Sequence, residues 1–383
     1  MEALFLKIVN MSLTASWLAL AVILFRAVFR KAPKWMNCLL WGLVALRLIC
    51  PFSIESALSL IPSAEPLPEE IIYTAQPQIE SGIGSVDGFV NPILDAALKA
   101  DGLTSANPTQ IWSFIFSQIW ILGMALLLLY ACVSYLMLKK KVTTATIFIT
   151  KEGITKRDIR IKQCDRIDSP FILGIIRPTI YLPYQIAEED LEYVIAHEQA
   201  HIRRKDHWWK PLGYLLLILH WFNPLLWISY ILLCRDIEAA CDEKVIGEMK
   251  KEERRAYSTA LLNCSVHRRS IAACPLAFGE VGVKERIKSV MNYKKPAFWL
   301  IMITTVTAVL ISMFFLTNPK SLNTEVMGAE YKIKEVLYSA SIPEKSDGME
   351  NRMYAGKSSL YCLTADYHLF LLQSEEADTI YLG

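Results

Sequence analysis

Residues 187–201 read Ala187-Glu188-Glu189-Asp190-Leu191-Glu192-Tyr193-Val194-Ile195-Ala196-His197-Glu198-Gln199-Ala200-His201, and the organisation of the chain follows from how this stretch folds. Three successive acids favour a helix start, and Leu191, Val194, Ile195 and Ala196 make an apolar face leading out of it. On such a helix His197 and His201 fall one turn apart on one side, with Glu198 beside them. HExxH placed in this way offers two imidazole nitrogens to one zinc ion and a carboxylate to activate water.

A catalytic zinc takes three protein ligands and keeps a fourth position open, so a third ligand is expected downstream. His207 stands at the spacing HExxHxxGxxH, but Arg204 occupies the position where that pattern needs glycine to turn the chain back to the metal. Glu238 is the other candidate, in Arg235-Asp236-Ile237-Glu238-Ala239-Ala240-Cys241-Asp242. A second helix there presents Glu238 to the ion and Asp242 one turn later, where its carboxylate accepts the free ring N–H of a ligating histidine. Glu238 is the preferred third ligand. Glu198 then binds no metal and carries a proton from the attacking water to the leaving amine.

Composition places this chemistry at a membrane. Apolar side chains make up 53% of the 383 residues and mean hydropathy is +0.30, high for a soluble chain. Uncharged apolar runs long enough to span a bilayer occupy 8–25, 111–138 and 297–317, and a fourth run at 36–54 is interrupted only by Arg47. Close to the end of its run, Arg47 is expected to snorkel to the interface. The first run is followed by positive charge and lacks a small-x-small cleavage site, so it is expected to remain as an anchor.

Charge sets the expected topology. Arg26, Arg30, Lys31 and Lys34 follow the first run without an acid, whereas 53–110 holds Glu55, Glu65, Glu69, Glu70, Glu80, Asp87, Asp95 and Asp101 against Lys99 alone. The positive-inside bias makes the first link cytoplasmic and the second external, and Lys139-Lys140-Lys141 and Lys294-Lys295 return the intervening segment to the cytoplasm. Both termini are then external, and the net charge of +2 conceals a basic inner half and an acidic outer half. Residues 211–234 are uncharged, yet a single crossing there would separate His197 and His201 from Glu238. Asn223-Pro224 marks a turn, so a shallow helical hairpin or a membrane-embedded return is expected, with His220 a hydrogen-bonded core residue.

Strand-like alternation appears at 143–150, 171–178 and 179–183. The last two are bounded by prolines, as an exposed edge would be, and an edge beside the zinc helix suits an extended substrate as well as simple support. Nine cysteines without a CxxC pair indicate neither a disulfide framework nor a thiolate zinc site. Arg203-Arg204-Lys205 and Lys250-Lys251 read as membrane-proximal or solvated clusters, so no direct nucleic-acid binding is expected.

Ser169-Pro170-Phe171 and Arg177-Pro178-Thr179-Ile180-Tyr181-Leu182-Pro183, then His197-Glu198-Gln199-Ala200-His201, His220-Trp221-Phe222-Asn223-Pro224 and Glu238-Ala239-Ala240-Cys241-Asp242, resemble in this order the BlaR/MecR family of integral-membrane zinc metallopeptidases. The resemblance spans roughly residues 1–316. It implies His197, His201 and Glu238 as Zn2+ ligands, Glu198 as general base, Asp242 as the group behind a ligand, and a cytoplasmic gluzincin-like domain. Phe278-Gly279-Glu280 to Lys284-Glu285-Arg286-Ile287-Lys288 resembles the family's segment before the last span, near where such transducers cut themselves. Members that sense antibiotics pass an external signal inward, and the outcome is removal of a winged-helix repressor from DNA by proteolysis. A cytoplasmic winged-helix repressor is therefore the expected substrate.

The expected fold is an α-helical membrane protein with an inserted cytoplasmic α+β gluzincin-like zinc metallopeptidase domain. Residues 1–138 would carry three spans and an external loop at about 55–110, 139–296 the peptidase domain with its hairpin at about 211–234, 297–317 the last span, and 318–383 a short external tail. The family's antibiotic sensors end in a penicillin-binding domain built around SxxK, and no serine here has lysine three residues later. Covalent β-lactam sensing is thus not expected of this chain. Two other readings stay open: an HtpX/Ste24-like quality-control membrane peptidase, and a non-catalytic signalling scaffold. A homodimer is compatible with any of them.

Overall fold

The computed structural model describes all residues except 51–53, 75–76, 99–107, 149–158, 267–282, 320–322, 327–328, 339–351, 356–359, 364–368 and 375–383. Cys274, Phe278-Gly279-Glu280 and the end of the strand expected at 143–150 lie outside the described residues. Two compact units emerge, Met1–Ile54 with Leu58–Asn318, and Glu55–Ala57 with Pro319–Gly383.

The first unit is mostly helical: α1 (Glu2–Val28), α2 (Lys34–Ile49), α3 (Gly84–Leu98), α4 (Pro108–Lys141), α5 (Glu188–Arg203), α6 (Asp206–Leu219), α7 (Pro224–Ile246), α8 (Lys251–Val266), α9 (Val283–Met291) and α10 (Phe298–Leu316). By length and composition α1, α10 and the stretch Pro108–Thr144 headed by α4 can cross a membrane. The helix in the fourth apolar run, α2, has 16 residues and is not among these three. Arg47 is buried, and its guanidinium donates to the Leu316 carbonyl at 3.1 Å and to the Asn318 carboxamide, satisfying the orphan end of α10.

The uncharged stretch 211–234 doubles back as α6 and α7, joined by the turn at 220–223. Asn223 caps α7 by accepting the Leu225 N–H at 3.0 Å, and Pro224 fills the first helical position. The Asn223 amide donates to Ser12 Oγ and Ser16 Oγ, each at 2.8 Å, in the first half of α1. On the other side Trp221 packs against α4, where a Cβ on Gly123 would lie 2.3 Å from the indole, so only glycine admits this approach. From Asn223 beside Ser12 to Asp236 beside Arg26, α7 lies along α1 for roughly 20 Å at 1.5 Å per residue. Leu18, Val22, Leu40, Val44, Leu217 and Leu226 fill the core between these helices.

Strands β1 (Thr146–Ile147), β2 (Arg160–Cys164), β3 (Phe171–Leu173) and β4 (Thr179–Pro183) form a sheet in the order β1-β2-β4-β3, with β2 and β4 parallel. Ile161, Ile180 and Leu182 pack on Val194 and Ile195 of α5, so the sheet is the floor beneath the HExxH helix. Gly174, at φ +105°, turns β3 into β4. The expectation of an exposed edge holds for β3 alone: β4 is central and buried throughout, and Pro183 is tolerated because it ends the strand. In the second unit β5 (Asn323–Val326), β6 (Ala329–Tyr338), β7 (Arg352–Ala355), β8 (Leu360–Leu363) and β9 (Leu369–Ser374) pair antiparallel in the order β5-β6-β9-β8-β7.

Asn223→Ser keeps a capping oxygen but loses the amide that reaches α1, and Asn223→Ala loses both. Thermal unfolding in detergent, followed by circular dichroism, should rank wild type above serine above alanine, the alanine variant costing about 2–3 kcal/mol. Equal melting temperatures would mean that the turn is held by other contacts.

Candidate metal centre

The helix at 188–203 starts with Glu188, Glu189 and Asp190 in its first turn, where acids favour the helix dipole. It buries His197 and His201 on the side facing α7, and Glu238 comes to meet them there. Nε2 of His197 and Nε2 of His201 lie 3.2 Å apart. Glu238 Oε2 is 3.5 Å from the first and Oε1 is 3.5 Å from the second. Ligands about 2.0–2.1 Å from a tetrahedral centre stand about 3.3–3.4 Å from one another, so two imidazoles and a carboxylate in this arrangement fit one zinc-sized ion with a position left over.

The outer ring nitrogens fix the tautomer such an ion requires. Nδ1 of His201 lies 2.8 Å from Asp206 Oδ2, and Nδ1 of His197 lies 2.8 Å from the Tyr257 hydroxyl, which itself donates to Asp242 Oδ1 at 2.7 Å. With protons on both Nδ1 atoms, both Nε2 lone pairs face inward. Asp242 reaches His197 directly as well, at 3.3 Å, and holds the Arg286 guanidinium with two bonds of 2.8 Å. The Cys241 thiol donates to Asp206 at 3.1 Å.

Charge is balanced within the cluster. Burial opposes protonation of His197, but hydrogen bonds to Asp242 and Glu238 overcome it and lift its pKa to about 9; His201 is raised against burial by Glu238 and Asp206. Burial alone would raise Glu238, yet Lys210, 2.8 Å away, and His201 hold it well below the usual carboxylate range. Asp242 is likewise held low, against burial, by Arg286. Burial and the Asp242 carboxylate keep Tyr257 protonated. An entering divalent cation therefore displaces protons from the imidazoles.

The structure brings His197, His201 and Glu238 together, with Asp242 behind His197, and leaves His207 out of the cluster. The reason is the turn. The backbone takes the left-handed conformation at Lys205, φ 60°, and α6 begins at once, placing Asp206 against His201 and the His207 ring beside Trp208. Glu198, buried on α5, forms no ion pair or hydrogen bond among the described residues. His220 is fully buried at the hairpin turn, with Nδ1 3.0 Å from the Leu216 carbonyl oxygen. Sequence reasoning missed Asp206, Lys210, Tyr257 and Arg286. A signal existed only for Asp206, an acid just past the motif at a helix start.

The family model described as BlaR1 peptidase M56 matches residues 6–290. The methicillin resistance mecR1 protein of Staphylococcus aureus is 26% identical over 217 residues, covering 52% of this chain and 36% of that protein. The regulatory protein BlaR1 of Bacillus licheniformis is 29% identical over 228 residues, covering 55% of this chain and 37% of that protein. The regulatory protein BlaR1 of Staphylococcus aureus is 22% identical over 274 residues, 67% of this chain and 45% of that one. The chain thus matches less than half the length of each of these relatives.

Equilibrium dialysis of the detergent-solubilised chain against Zn2+ separates the roles. Asp206→Ala should bind about 10–100-fold more weakly, Glu238→Ala should lose the ion, and His207→Ala should match wild type. A loss on His207→Ala as large as on Glu238→Ala would transfer the third-ligand role to His207.

Proposed function

The chain belongs to the BlaR1 peptidase M56 family, and from that premise we propose that it is a membrane-bound zinc metalloendopeptidase that answers an external signal by cutting a cytoplasmic winged-helix repressor, with its own chain as a second substrate. The observation that carries this reading is the tetrahedral-edge spacing of the His197, His201 and Glu238 donors, with both imidazole tautomers fixed from behind.

Zn2+ supplies Lewis acidity to the attacking water and the scissile carbonyl. His197, His201 and Glu238 hold it, while Asp206 and the Tyr257–Asp242 pair keep the rings turned toward it. Glu198 takes the proton of the attacking water and delivers it to the leaving amine. Its neighbours are engaged with one another, and Glu198 is the buried carboxylate of this helix left free to do so among the described residues. Lys210 and Arg286, fixed on Glu238 at 2.8 and 3.4 Å, add positive potential where the carbonyl oxygen gains negative charge.

In this reading residues 139–296 form a gluzincin-like α+β domain on the cytoplasmic side of the plasma membrane. The α6–α7 hairpin enters the bilayer from that side, α2 contributes a fourth span, and both termini with the 318–383 tail lie outside. The three lysines that close α4 support the orientation. Contact with DNA runs only through the repressor. One chain supplies every donor of the site, so cutting does not require a homodimer.

The decisive measurement is an immunoblot of membranes carrying the chain tagged at both ends, wild type against Glu198→Gln, with any repressor encoded beside it co-expressed and tagged under varied cell-wall stress. Repressor fragments are expected in wild type and absent in Glu198→Gln. Intact repressor in both, at matched expression, would sink the reading.

A further inference from the structure

Helix α7 carries acids on two opposite faces. At 100° per residue, positions 236 and 243 share one face and positions 238 and 242 the other. Glu238 and Asp242 face the metal centre. Asp236, 2% exposed, faces α1 and α2, and none of the chemistry above uses it. Its two oxygens accept Arg26 Nε at 2.9 Å each, Trp41 Nε1 donates at 2.9 Å, and Asn37 Nδ2 approaches to 3.3 Å. Seven residues on, Glu243 accepts the backbone N–H of Lys34 at 2.8 Å, capping the start of α2. Helix α2 has a second hold on the site. Arg204 Nη2 meets Cys38 Sγ at 3.4 Å, and Arg204 Nε lies 3.4 Å from Asp206 Oδ2, the oxygen that holds His201.

A buried carboxylate is stable only when fully paired, and removing one partner is far more disruptive than never having had the charge. Here the partners come from α1 and α2 and from no other described element. We propose that Asp236 is a positioning residue through which the α1–α2 pair sets the placement of α7, and with it the reach of Glu238 to His197 and His201. A displacement of α1 or α2 against α7 then changes the site's hold on its metal, linking the membrane segments to the centre without any contact between them and the ion. The inference rests on the metal reading above.

The test uses the full chain in detergent, titrated with Co2+, whose visible spectrum reports tetrahedral coordination, and with Zn2+ in competition for affinity. Asp236→Asn should weaken Zn2+ binding about tenfold or more and dim the Co2+ spectrum, with smaller effects from Arg26→Gln and Trp41→Phe. Arg26→Gln added to Asp236→Asn should cost little beyond Asp236→Asn alone, since both break one pair. Leu18→Ala, a cavity in the same helical packing that leaves the donors of Asp236 in place, should lower the melting temperature and leave the Co2+ spectrum unchanged. If Asp236→Asn does not fold, Arg26→Gln and Trp41→Phe carry the test. Affinities within about twofold of wild type in those variants, strict additivity in the double variant, or an equal spectral change in Leu18→Ala would each overturn the inference. A wild-type chain that binds neither ion would overturn the metal reading first and this inference with it, and that failure is distinct because it appears before any substitution is made.

Discussion

A carboxylate withdrawn from water stays ionised only where fixed donors and cations replace that water, and α7 must meet this requirement on two opposite faces. Asp236, Glu238 and Asp242 are all buried within seven positions. The neighbours of the helix can be read as answers to that demand. Helices α1 and α2 bring Arg26, Asn37 and Trp41 to one side, and α5, α6, α8 and α9 bring the two imidazoles, Lys210, Tyr257 and Arg286 to the other. Packing of apolar surface holds these helices close, but it is non-directional. The paired charges decide which turn of each helix faces which.

The same helix changes character along its length. Its first half, Pro224 to Cys234, is uncharged, and its second half is dense in acids. Helix α6 runs the other way, with Asp206 and Lys210 at its start and only apolar residues and Tyr214 from Pro211 on. An antiparallel pair built from these two sequences puts both polar ends together and both apolar ends together. The turn at 220–223 thereby places Lys210 beside Glu238. A site of five or more ionisable groups can then form at the mouth of a hairpin whose remaining surface suits lipid, and at the turn the Asn223 amide is met by Ser12 and Ser16 and His220 Nδ1 by the Leu216 carbonyl.

Local signals carried most of what was legible. The HExxH helix, the Asn223-Pro224 turn and the pairing of Glu238 with Asp242 are all short-range patterns, and each marks an element that forms in the structure. Of the contacts between distant segments, that of Glu238 with the two histidines was legible and the others were not. Tyr257 stands 60 residues from His197 and Arg286 44 residues from Asp242, and nothing in the neighbouring sequence of either marks it as facing the site. The acceptor that Arg47 meets, the carbonyl end of α10, lies 269 residues away and left no mark beside it. Pro183 suggested an edge because proline cannot donate to a ladder, a rule that does not apply to the last residue of a strand.

The charges around His197, His201 and Glu238 bear on how these residues would hold a cation. His197 and His201 are both raised toward the protonated state by the acids around them, while Glu238 and Asp242 are held ionised by Lys210 and Arg286. A cation held by both Nε2 atoms would displace any proton carried there. The surrounding hydrogen bonds, Asp206 to His201 and Tyr257 to His197, run to the outer nitrogens and are the same in either state. Arg286 Nη2, 3.3 Å from His197 Nε2, and Lys210, 2.8 Å from Glu238 Oε1, are the contacts a bound cation would have to share. In the inference proposed above, the spacing of the helices that carry these donors, above all that of α7 against α5, sets how well they converge.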